Sequence, residues 1–191
     1  MKYFLFSIFI VVTVLTGSAS SKEKNKIISY SGLGKIVVFA GLNQVWIQLS
    51  DKDEYSNISD RAPFRFKKPQ HLTFLTQIYG VEEKFIQSVV NPEKDKQYQI
   101  MRVMSSTLIG RAVTMECFDR NDSLGIPICL FKISGKDLGL SLIGEGYSRF
   151  ITKSTEETEL TQVYRRIEES AKEKGLGIWE PYYGLFVTDE L

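Results

Sequence analysis

Asp137-Leu138-Gly139-Leu140-Ser141-Leu142-Ile143-Gly144-Glu145-Gly146-Tyr147, together with the later Ala171-Lys172-Glu173-Lys174-Gly175-Leu176-Gly177-Ile178-Trp179, decides how this chain is read. The first stretch follows Gly135-Lys136 and packs four large apolar residues into a short span, which reads as a short helix. The second closes the best-marked element. Leu160, Val163, Tyr164, Ile167 and Ala171 recur at spacings of three and four, the signature of a helix with one core-facing side. Ser154 and Glu157 stand at capping-box spacing ahead of it, and Glu156, Glu157 and Glu159 suit the positive end of its dipole. Lys172 and Lys174 suit the opposite end, and Gly175 is placed to close it in a left-handed cap.

Working back toward the N-terminus, Ile126 to Ile133 and Ala112 to Phe118 read as two strands of a hairpin around the polar turn Asp119 to Gly125. Before them Tyr98, Met101, Met104 and Leu108 give a second helical face, stopped at Gly110. Leu72 to Tyr79 has strand character up to Gly80, and Glu82 to Val90 reads as a short helix ended by Asn91-Pro92. The polar stretch from Ser50 to Gln70, with Pro63 and Pro69, shows neither period and is expected to be a long exposed loop. Val45 to Leu49 forms a strand after the turn Gly41-Leu42-Asn43, and Ile27 to Tyr30 and Lys35 to Ala40 read as strand, bend, strand. Strands, helix, hairpin and two helices in that order make an α+β domain.

The two ends read as addresses. Met1-Lys2 and the 13-residue apolar run Tyr3 to Leu15 lead to the small residues Gly17, Ser18 and Ala19, as in a signal peptide cleaved after Ala19. The run is shorter than the ~20 residues that span a bilayer, which fits cleavage; an uncleaved anchor, lengthened by Thr16 and Gly17 in a locally thinned bilayer, is the other reading and the only one that implies a membrane. Asn57-Ile58-Ser59 and Asn121-Asp122-Ser123 are glycosylation sequons, and Thr188-Asp189-Glu190-Leu191 is similar to a retrieval signal lacking its basic residue. The expected location is the endoplasmic reticulum lumen or the outside of the cell.

The 191 residues suit one domain, with 24 Lys plus Arg against 23 Asp plus Glu, so no bulk cationic field favours a generic nucleic-acid binder. Two cysteines exclude a multi-bridge scaffold and a four-cysteine zinc site. Cys117 and Cys129 sit symmetrically about the hairpin turn, where they are either a cross-strand disulfide or two small buried residues. His71 is the only histidine, which fits neither a histidine-rich metal site nor a Ser-His-Asp triad.

From Gly110 to Trp179 the chain resembles the staphylococcal nuclease-like (thermonuclease) family. Glu116-Cys117-Phe118-Asp119 and Asp122-Ser123-Leu124-Gly125 are similar to its fourth strand and following turn. The quoted stretch from Asp137 resembles its Asn-Leu helix, and Ala171 to Trp179 its Ala-x6-Gly-(Leu/Ile)-Trp ending. The resemblance implies an OB-type five-stranded β-barrel with about three helices, over residues 34–180. Residues 1–19 are then a leader, 20–33 a lead-in and 181–191 a tail.

The family's chemistry needs carboxylate ligands for calcium, a glutamate base and two arginines that neutralise phosphorane charge. Carried over position by position, the first ligand turn Gly-Asp-Thr becomes Gly41-Leu42-Asn43. The third-strand run becomes Leu75 to Glu83, which places Leu75 for the first arginine, Gly80 for the second ligand and Glu83 for the base. The later Tyr-Gly-Arg becomes Leu124-Gly125-Ile126. Glu83 is thus the one residual catalytic candidate, and the resemblance implies a domain that no longer cuts and serves as a binding or scaffold module for a protein partner, without cofactor. Two other readings stand beside it. One is a calcium-dependent nuclease whose site is rebuilt from Arg61, Arg65 and the acidic Asp51, Asp53, Glu54 and Asp60. The other is a non-cutting nucleic-acid binder using the interleaved Phe64, Arg65, Phe66, Lys67 and Lys68 as a groove.

Overall fold

The computed structural model describes residues 28–82, 96–151 and 158–179. Strands β1 (Ile28–Phe39), β2 (Gln44–Gln48), β3 (Lys67–Lys68), β4 (Thr73–Ile78), β5 (Ala112–Asn121), β6 (Pro127–Ile133) and β7 (Lys136–Asp137) form one sheet in the order β3-β4-β2-β1-β5-β6-β7. A parallel pairing of β4 with β6, Gln77 to Ile128 and Ile78 to Cys129, closes β4-β2-β1-β5-β6 into a five-stranded barrel. Helices α1 (Lys52–Ser59), α2 (Lys96–Leu108), α3 (Leu138–Gly144) and α4 (Glu159–Glu173) complete it. Among the described residues no helix is long and apolar enough to cross a membrane. The leader, most of the expected helix from Glu82 to Val90 and the C-terminal Thr188 to Leu191 lie outside the described residues.

Alternation along the strands makes two cores from one barrel. Inward, Ile36, Val45, Ile47, Phe74, Ile78, Val113, Met115 and Phe131 fill the interior, joined by Tyr55 and Ile58 of α1 and Met104 of α2. On the other face Tyr79, Phe118 and Leu130 pack against Ile143 of α3 and Tyr164 of α4.

The structure differs from the sequence reading at three elements. β1 is one strand rather than two around a bend, and it begins at Ile28, within the stretch read as lead-in. Its first half pairs with β5 and its second with β2, and a bulge between Ile36 and Val38 takes up the curvature. Gly34 does not break it, because a Cβ there would lie 2.6 Å from Ile47 Cγ2; the glycine admits a core side chain.

The expected loop from Ser50 to Gln70 contains α1. Asp51 Oδ1 accepts from the backbone N–H groups of Asp53 and Glu54, both at 2.8 Å, and Tyr55 meets the Phe74 ring edge-on at 6.0 Å. With eight residues and little apolar content beyond Tyr55 and Ile58, the helix leaves almost no period to read.

The cap of α4 is Thr158, not Ser154. Thr158 Oγ1 accepts from Thr161 N–H at 3.2 Å and Thr161 Oγ1 accepts from Thr158 N–H at 2.9 Å. A cap side chain reaches only two or three residues ahead, so with Glu159 as the first helical residue the role falls to Thr158. Ser154 and Glu157 lie outside the described residues. Gly175 takes φ +61° at the other end, as expected. Beyond it Ile178 N–H donates to Gly146 O at 2.8 Å, and Lys172 lies 4.5 Å and Arg149 5.3 Å from the Trp179 ring centre. This is the packing behind the Gly-Ile-Trp ending.

Cys117 and Cys129 face each other across β5 and β6, are joined by a disulfide and are buried. The sequence separation of 12 makes a short loop, whose closure in the unfolded chain corresponds to about 3 kcal/mol. Thermal unfolding with and without reductant should show the midpoint fall accordingly; an unchanged midpoint would mean the bridge carries no stability.

Candidate functional site

The positions that the resemblance assigns to the family's ligands and arginines fall at the turn between β1 and β2, on β4 and its exit, and at the entry to β6. Asn43 ties the first two together: its carbonyl accepts from Ile78 N–H at 2.7 Å, and its amide Nδ2 lies 3.5 Å from Val81 O. The parallel pairing of β4 with β6 is confined to Gln77 with Ile128 and Ile78 with Cys129, and Leu75 and Ile126 each precede it by two residues.

All four corresponding positions are packed. Leu42, Leu75 and Ile126 are buried, as are Asn43 and Val81. Gly80 has φ +76°, and a Cβ built on it would lie 2.6 and 2.8 Å from ring carbons of Tyr164 and 3.1 Å from Phe150. Its carbonyl accepts from Ile151 N–H at 2.9 Å, and Val81 bridges to Phe150. The position that would carry a second acidic ligand is thus built into backbone pairing and covered by an aromatic ring. Glu83 lies outside the described residues.

Tyr164 was read only as a core-face residue. Its hydroxyl donates to Asp137 Oδ1 at 2.9 Å, and the same oxygen accepts from Leu140 N–H at 3.0 Å, capping α3. Burial, then the Asp137 charge, pushes the Tyr164 hydroxyl far above its ordinary pKa.

The charges proposed to rebuild a cation site do not converge. Arg61 forms an ion pair with Asp119 on β5, while its carbonyl accepts from Asn121 Nδ2 at 3.0 Å. Pro63 lies against Gly125, so Arg61 to Pro63 strap the β5–β6 turn. Arg65 stacks on Phe66 at 4.7 Å. Asp51 is spent on the α1 cap, Glu54 Oε2 accepts from Tyr30 Oη at 3.0 Å, and Asp60 is exposed at the end of α1. Burial and Glu54 push the Tyr30 pKa up to about 12. Among the described residues, no three His, Cys, Asp or Glu side chains are placed to hold a metal ion.

The expected groove from Phe64 to Lys68 takes a different form. Phe64–Phe66 is one 3-10 turn and Lys67–Lys68 is the edge strand β3, with Phe64 81% exposed and Lys68 4.8 Å from the Trp46 ring centre. A strand pair this short adds an edge to the sheet and no second wall. Of the sequon asparagines, Asn57 is exposed on α1 and Asn121 is half-buried with Nδ2 bonded to Arg61 O. The strap was not readable in advance, since its partners lie some 60 residues away in sequence and have no local pattern.

A family model described as staphylococcal nuclease homologue matches residues 83–181, just over half the chain. No curated protein matches.

Proposed function

The chain belongs to the staphylococcal nuclease homologue family, and we propose that within it this barrel binds rather than cuts. The observation that carries the reading is the packing at Leu42, Leu75, Gly80 and Ile126, where apolar side chains and an aromatic ring occupy the ground that metal and phosphate chemistry requires. Losing one preorganised charge stabiliser costs ~10²–10³ in rate, and losing ligands as well removes the Lewis acid. The domain then acts as a scaffold for a protein partner in the secretory pathway, retained in the endoplasmic reticulum or secreted, with no cofactor. The apolar leader, the sequons and the Cys117–Cys129 bridge support that location.

The test is direct. Purified protein incubated with supercoiled plasmid and with single-stranded DNA in calcium should cut neither above the buffer rate. Calcium-dependent cleavage that Glu83→Gln abolishes would replace this reading with that of a working nuclease. A second reading, binding of single-stranded nucleic acid without cleavage, is favoured by exposed Phe64 and by the stacking of Lys68 on Trp46. Salt-dependent retention of a labelled oligonucleotide, lost in Phe64→Ala, would select it.

A further inference from the structure

β2 and β4 have a second pair of ends, remote from Leu42 and Gly80. Where β2 runs out through Leu49 and β4 is entered through Leu72, an open depression of about 570 Å³ lies on the surface. Leu33 and the half-buried Leu72 supply apolar surface, Leu49 lies beneath it in the barrel core, and Lys35, Gln48 and His71 supply polar groups. Lys35 stands opposite both Gln48 on β2 and Ala112 on β5, exposed on the outer face of the sheet. No acidic residue lines the depression, and among the described residues Lys35 has no carboxylate partner.

A second, independent feature lies on the same wall. Leu72 adopts φ +49° and ψ +38°, a left-handed conformation that a leucine takes only when its surroundings impose it. It is held there by Leu49 N–H donating to Leu72 O at 3.0 Å, by Leu72 N–H donating to Pro69 O at 3.1 Å, and by Gln48 Nε2 donating to the neighbouring His71 O at 3.0 Å. Strained backbone of this kind concentrates at ligand sites. Leu33, at 66% exposure, leaves a large apolar side chain uncovered at the rim.

We propose that this depression binds a small amphiphilic anion, a single carboxylate or sulfonate on a medium-chain or aromatic body. Lys35 holds the charge, and Leu33 and Leu72 hold the body. The site is separate from Leu42 and Gly80 and stands whether or not the chain cuts nucleic acid.

Titrating the full chain with 8-anilinonaphthalene-1-sulfonate should give saturable one-site fluorescence, displaced by decanoate and not by decanol. Lys35→Gln, at an exposed position, should weaken binding about tenfold, the loss of one charge-assisted contact. Leu72→Gly removes an apolar side chain packed against the core, so it should weaken binding comparably and lower the thermal midpoint, whereas Lys35→Gln should leave the midpoint unchanged. Non-saturable uptake, displacement by decanol as good as by decanoate, or wild-type affinity in either variant would overturn the proposal.

Discussion

Gly80→Asp, which puts a carboxylate where the resemblance assigns the family's second ligand, is expected to destabilise the domain strongly instead of restoring a metal site. Three costs add. An aspartate at φ +76° leaves the conformation open to glycine, a cost of ~1 kcal/mol. Its Cβ would overlap the Tyr164 ring at 2.6 Å, and that ring is wedged, with Gly139 on the other side leaving only 2.8 Å between its own built Cβ and the Tyr164 hydroxyl. The carboxylate would then sit among buried aromatic residues with no cation to meet it. Together they reach roughly 4 kcal/mol or more, a large share of the 5–15 kcal/mol typical of a domain. Urea denaturation of Gly80→Ala beside Gly80→Asp separates backbone and overlap from charge, with the alanine variant falling between wild type and aspartate. A Gly80→Asp protein that folds near the wild-type midpoint and gains stability in calcium would refute both the packing account and the proposed loss of cutting.

Tyr164→Ala is expected to cost about 3–5 kcal/mol, in the range for removing a buried aromatic. Tyr164 is fully buried and touches the rings of Tyr79 at 5.3 Å and Phe150 at 5.2 Å, so its removal leaves a cavity between barrel and helices. Tyr164→Phe isolates the hydroxyl. Asp137 Oδ1 keeps its bond from Leu140 N–H, so the loss should be only ~1 kcal/mol. The hydroxyl pKa is raised above its unfolded value of 10.0, so this contribution is complete at neutral pH and is lost progressively as the pH rises above 10.0 toward the folded value, because the unfolded chain ionises first. Equal midpoints for Tyr164→Ala and wild type in thermal unfolding would show that α3 and α4 do not depend on this ring.

Much of the fold could be read from local pattern. α2 and α4 announce themselves because a buried helix face repeats every three to four residues, and Met104, Tyr164 and Ala171 are indeed buried. The β5–β6 hairpin was equally plain, but whether Cys117 and Cys129 bond was left open, since register decides it and the turn admits more than one. α1 escaped because a capped eight-residue helix with two core contacts carries too little period.

At the candidate site the division is sharper. Sequence alone determined the family, because the motif order of the C-terminal half survives without coordinates, and it yielded the positions that the resemblance assigns to ligands and arginines. Only the tertiary structure decided that Gly80 is closed by Tyr164, that Arg61 is drawn to Asp119, and that a depression opens beside Lys35. Burial, ion pairing and surface shape depend on residues brought together from distant parts of the chain by barrel closure, and no local pattern encodes a neighbour that the fold alone supplies.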